Sequence, residues 1–148
     1  MIKYVAGIIR YSLLMKLLLQ LPLLGIILII FNVIMFQNPL SLQPDAAPVF
    51  SMPLPSGVAW NPTVSDLLII GGVVLLYLEL FKATRTSVGA IIEHVLSLFV
   101  FLVFLIEFIV FAPAANSTCV VLMLLALLDV VGGFTISIST ARRDMSFG

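Results

Sequence analysis

Four apolar windows constrain this chain more than any other feature, because each is close to the length at which a helix crosses a lipid bilayer. At a rise of about 1.5 Å per residue, ~20 apolar residues cover the ~30 Å hydrocarbon layer. Residues 12–36, 65–83, 90–112 and 117–140 meet that requirement. Lipid offers the backbone no hydrogen-bond partners, so such windows fold as helices, which bond their own N–H and C=O groups. The expected fold is an all-α membrane protein of four transmembrane helices, forming one integral membrane domain over residues 1–148. Composition agrees: hydrophobic residues make up 62% and charged residues 9%. Soluble domains sit near ~45–50% and ~25%.

The basic residues set the orientation. Lys3, Arg10 and Lys16 lie before or just inside the first window, Lys82 and Arg85 between the second and third, and Arg142 and Arg143 after the fourth. Residues 37–64 and 113–117 contain no Lys or Arg. The positive-inside rule therefore places both termini in the cytoplasm. Lys3 and Arg10 also resemble the charged region of a signal peptide, but the apolar stretch after them is too long and no small-residue cleavage site follows. The first window is read as a retained span, with the residues up to Tyr11 lying on the inner surface and Pro22 kinking the helix near its cytoplasmic third.

The outer loop, residues 37–64, carries Pro39, Pro44, Pro48, Pro53, Pro55 and Pro62. Repeated proline removes backbone donors and favours extended segments over helix. Phe50, Val58 and Trp60 supply apolar anchors, and Trp60 beside a helix start fits the aromatic belt at a membrane interface. A loop of this length is functional, mobile or held by a partner; for a membrane subunit the partner-held reading is preferred. After it, "NPTVSD" offers Pro62, Thr63, Ser65 and Asp66 as helix-start residues.

Counting helix rise from the outer end of each span assigns depths to the polar residues. Gln20 falls at ~24 Å, Glu79 at ~21 Å, Glu93 at ~28 Å and Asp129 at ~18 Å, with Lys16 at ~30 Å and Lys82 at ~26 Å just below. These residues converge on the inner half of the membrane. A charge near the bilayer centre is costly, so Asp129 and Glu79 are expected to face the bundle interior, paired or protonated. Glu79 and Lys82, three apart, can pair along one helix, leaving Lys16 or Gln20 for Asp129. Glu107 differs: it lies only ~7–8 Å below the outer end of its span, in a half that contains no Lys, Arg or His. Its options are protonation with a hydrogen bond, an opening to outside water, or a donor from another subunit or a lipid.

Each of these features has a structural and a functional reading. Asp129 and Glu79 can relay protons or bind a cation, or simply hold helices together; the structural role is preferred. Gly71, Gly72, Gly132 and Gly133 are expected to permit close helix packing, with Gly133 on the face of Asp129. His94, beside Glu93, supplies at most one axial ligand and is equally an ordinary interfacial residue. The phenylalanines between Phe99 and Phe111 are read as packing and lipid-facing residues rather than a quinone or pigment pocket. Trp60, Arg85, Arg142 and Arg143 are read as lipid or topology anchors.

Other chemistries find little support. Seven Lys and Arg balance seven Asp and Glu, so no net charge draws the chain to nucleic acid. The lone Cys119 cannot form an internal disulfide, and no metal-ligand spacing surrounds it. No nucleophile–base pair or phosphate-binding glycine loop is present, so no enzyme activity, metal or cofactor is expected.

The segments "LELFKATRTS", "EHVLSLFVFLVFLIEF" and "LLDVVGGFTISISTARRD" resemble those of small uncharacterised bacterial inner-membrane proteins that share a helix pair and an Arg-Arg-Asp tail. The resemblance covers residues 65–148 and implies a bacterial inner membrane, without a transferable activity. The functional expectation is an accessory or assembly subunit of a larger membrane complex, touching lipid and other subunits or itself. The alternative is a small homo-oligomeric proton- or cation-coupled transporter or channel using the intramembrane carboxylates.

Overall fold

The structure, a computed structural model, describes residues 21–84 and 88–146. Among the described residues are four helices: α1 (Leu24–Gln37), α2 (Val64–Lys82), α3 (Val88–Val110) and α4 (Ser117–Ser146). Three of them hold segments long and apolar enough to cross a membrane: Val64–Lys82, Ile92–Val110 and Ser117–Ser139. The helix boundaries follow local chemistry. Thr63 caps α2 through a reciprocal capping box with Asp66, whose carboxylate accepts the Thr63 N–H at 2.8 Å while Thr63 Oγ1 accepts the Asp66 N–H at 3.3 Å. Asn116 caps α4, its Oδ1 accepting the Cys119 N–H at 2.9 Å.

The first span departs from expectation. Residues 21–23 are not regular helix and α1 starts at Leu24, two residues after Pro22. Its ring fits the edge of a helix but not the interior, where it removes a donor and clashes with the preceding turn. The 14 residues of α1 rise about 21 Å, less than the ~30 Å hydrocarbon layer. The expected residues 12–20 of this span lie outside the described residues. The fourth helix runs past the expected 140, through the Arg142–Arg143 pair to Ser146.

The loop between α1 and α2 is extended for most of its length but not unstructured. A 3₁₀ turn (Pro39–Leu42) is followed by a small hairpin of strands β1 (Met52–Pro53) and β2 (Ala59–Trp60), in antiparallel register with Met52 opposite Trp60 and Pro53 opposite Ala59. Gly57 turns the hairpin at φ 82°, a left-handed angle that favours glycine.

The helices form a ring in which α4 packs against α2 and α3, and α1 against the same two from the other side. Their shared core holds Leu24, Ile27, Phe31 and Met35 of α1, Leu68 and Leu76 of α2, Val100 and Phe104 of α3, and Cys119, Leu122, Leu125 and Ala126 of α4. Phe31 and Phe104 meet at its centre, ring centroids 5.8 Å apart. Large apolar side chains also cover the outside of every helix, among them Ile29, Tyr77, Ile109 and Leu128. This inside-and-outside apolar pattern is compatible with a membrane protein.

Candidate functional site: two polar tiers in an apolar bundle

The inward faces of α3 and α4 carry polar residues toward both ends with apolar residues between them. On α3 the inward positions run His94, Ser97, Val100, Phe104 and then Glu107; on α4 they run from Thr118 through Cys119, Leu122 and Ala126 to Asp129. The result is a polar tier toward the end of the bundle that holds Lys82, an apolar middle, and a second polar tier toward the end that holds the hairpin; they are called inner and outer after the expected orientation.

The inner tier gathers side chains from α2, α3 and α4 and one backbone group from the start of α1. Glu79, only 4% exposed, accepts the Lys82 ammonium at 3.2 Å and, through its other oxygen, the backbone N–H of Leu23. That N–H lies just before the first residue of α1, where the positive end of the helix dipole favours a carboxylate. Lys82 also reaches toward Glu93 on α3, at 3.9 Å. A chain of polar contacts thus joins α1, α2 and α3 below the core.

Two further contacts lie between α3 and α4. His94 Nε2 lies 2.8 Å from Ser137 Oγ, and the imidazole tilts against Phe134 with ring centroids 5.0 Å apart. Gly133 makes room for that ring, since a Cβ on it would come within 2.5 Å of His94 Cε1. Asp129 is 3% exposed, with Ser97 as a polar neighbour and Oδ2 without a hydrogen-bond partner among the described residues. Glu79, Lys82 and Glu93 share its electrostatic environment.

The outer tier is smaller. Glu107 has the side chain of Asn32 on α1 as a polar neighbour, and Asn32 Nδ2 donates to the Leu28 carbonyl at 3.1 Å. Glu107 Oε2 is buried without a hydrogen-bond partner among the described residues. Nearby, Thr118 Oγ1 donates to Ser65 Oγ at 2.9 Å, tying the starts of α4 and α2 together.

Glu79, Lys82, Glu93 and Asp129 therefore gather in one tier, and Glu107 stands apart. Lys16, Gln20 and Arg85 lie outside the described residues. The glycines divide by neighbour: a Cβ on Gly72 would meet Leu125 at 2.9 Å, one on Gly132 would meet Leu80 at 2.7 Å, and one on Gly71 would find Ile27 at an ordinary 3.5 Å. Trp60 is exposed on the hairpin and packs edge-on against Phe50. Arg142 is exposed on α4.

Sequence reasoning missed four polar neighbours. Asn32 sits about 6 Å below the outer end of its window, at nearly the depth of Glu107, so the same helix-rise count identifies it. Ser97 lies close to the depth of Asp129 and is found the same way. The Ser137 contact with His94 and the Leu23 N–H had no such signal, the first depending on helix rotation and the second on where α1 begins. No group of three or more His, Cys, Asp or Glu that could hold a metal is present among the described residues. In comparisons with known proteins, the chain matches no family model, no curated protein and no solved structure.

Proposed function

We propose that this chain is a multi-pass protein of a bacterial inner membrane, with both termini cytoplasmic, serving as a non-enzymatic accessory or assembly subunit of a larger membrane complex. One observation carries this reading. The polar tiers are separated by an apolar layer in which Leu68 and Leu76, Val100 and Phe104, and Leu122 and Ala126 are buried between the polar ends of α2, α3 and α4. Ser97 and Glu107, ten residues apart on α3, are divided by roughly 15 Å of helix. Such an interior fastens helices rather than conducting an ion, and leaves the apolar outer faces as the surface on which the chain acts. Its partners are then lipid and neighbouring subunits. The compartment follows from the resemblance to small bacterial inner-membrane proteins, and the orientation from the distribution of Lys and Arg.

The second reading, a homo-oligomeric proton- or cation-coupled transporter, rests on Asp129, whose Oδ2 is buried with no partner among the described residues. Purification in mild detergent, followed by mass measurement and identification of co-purifying chains, separates the two. Recovery with a defined set of other membrane proteins is the expected result. A pure homo-oligomer whose ion flux in proteoliposomes disappears on Asp129→Asn would overturn it.

A further inference from the structure

The hairpin between α1 and α2 has two unlike faces. Met52 lies opposite Trp60, and Leu54 donates its N–H to the Val58 carbonyl at 2.9 Å, so these four side chains share one side of the ladder. Phe50 joins them, its ring T-shaped to Trp60 at 5.7 Å. The intervening residues, Ser51, Pro53, Ala59 and Asn61, alternate onto the other side. The apolar side is uncovered: Phe50, Met52, Leu54, Val58 and Trp60 are 39–65% exposed.

We propose that this apolar side lies in the interfacial layer of the membrane, against the boundary between lipid headgroups and acyl chains, as an anchor beside the start of α2. This inference rests on the membrane reading above. Three observations favour lipid as the occupant. The hairpin is fastened to the start of a candidate membrane-spanning helix, α2: Trp60 precedes the Thr63 cap by three residues, a reach of at most about 10–11 Å, and Val49 N–H donates to Pro62 O at 2.8 Å across the base. The whole segment 46–65 carries no charged side chain to resist entry into the interface. Finally, strands of two residues leave backbone groups unpaired along both edges, which hydrocarbon cannot satisfy but hydrated headgroups can. A tryptophan and phenylalanine pair above a polar, proline-bearing side suits that layer.

Trp60 is the single tryptophan, so the full chain reports on itself. In lipid vesicles its fluorescence is expected to be quenched strongly by lipids spin-labelled at the headgroup, less by lipids labelled deep in the chain, and weakly by iodide in the buffer. Val58→Asp, at the exposed tip and away from the helix core, should reverse that order by lifting the hairpin into water. Strong iodide quenching without lipid quenching in the unsubstituted protein would overturn the proposal and favour a surface for a protein partner. So would an unchanged quenching pattern in Val58→Asp. The same vesicles are washed with alkali: a chain that stays in the membrane with a water-exposed Trp60 overturns the anchor alone, whereas a chain washed away overturns the membrane reading as well.

Discussion

At Gly133 the space that one methyl group would need is already taken by an imidazole. His94 is held in place by Ser137 and Phe134, so it cannot swing aside without losing both contacts. Gly133→Ala should destabilise the fold by about 1–3 kcal/mol, the range for overpacking a tight contact. Gly71→Ala, with Ile27 at 3.5 Å, should be close to neutral. Reversible unfolding in mixed detergent micelles reads the difference. Because the cost is a clash between two named residues, it should largely vanish in a His94→Ala background, a coupling that the double-mutant cycle isolates. Equal costs at Gly133 and Gly71 would mean that the close approach is not real. At Glu107 the polar neighbour is Asn32 of α1, and one carboxylate oxygen stays without a hydrogen-bond partner among the described residues.

Between elements, the Glu79 carboxylate is the link between the start of α1 and the end of α2. It satisfies Leu23 N–H, just before the first residue of α1, and neutralises Lys82 on its own helix. Glu79→Gln keeps a carbonyl acceptor for that N–H, while Glu79→Ala removes it and leaves Lys82 only the longer contact with Glu93. The alanine variant should therefore be less stable than the glutamine variant by about 1–3 kcal/mol, the penalty for a buried group stripped of its partner. The same unfolding assay measures it. If the two variants are equally stable, Leu23 is satisfied some other way and the start of α1 is not fixed by this contact.

Over the whole molecule, the ring order of the helices puts the ends of α1 and α3 and the starts of α2 and α4 at one end of the bundle, with the hairpin and the outer polar tier. The opposite end holds Lys82 and Arg142. Orientation in the membrane is open to direct test because Cys119 is buried and gives no background labelling. In intact cells a membrane-impermeant thiol reagent should label Ala47→Cys, in the loop before the hairpin. It should leave Ser146→Cys, at the end of α4, unlabelled until the cells are opened. The reverse pattern would invert the proposed topology and with it the assignment of the hairpin to the outer face.

Much of this arrangement is legible in the residues alone, because three helices have the length and apolar composition of membrane spans. A solvent that bonds no backbone groups makes apolar length and helix almost synonymous, so Val64–Lys82, Ile92–Val110 and Ser117–Ser139 can be read directly. Helix rise then converts position into depth, which is why Glu79, Glu93 and Asp129 can be grouped, and Glu107 set apart, before any fold is known. Depth says nothing about rotation around the helix axis or about which helices are neighbours. That His94 rather than another side chain faces Gly133, and that Ser137 meets it, depends on how α3 and α4 are turned against each other. The start of α1 at Leu24 is likewise a tertiary matter: proline permits a bend or an end, and here the Glu79 carboxylate, brought over from α2, receives the Leu23 N–H just before it. The hairpin falls between the two cases. Its alternation from Phe50 to Leu54 and from Val58 to Trp60 stands in the sequence, but only the register of β1 with β2 places the five apolar side chains on one side.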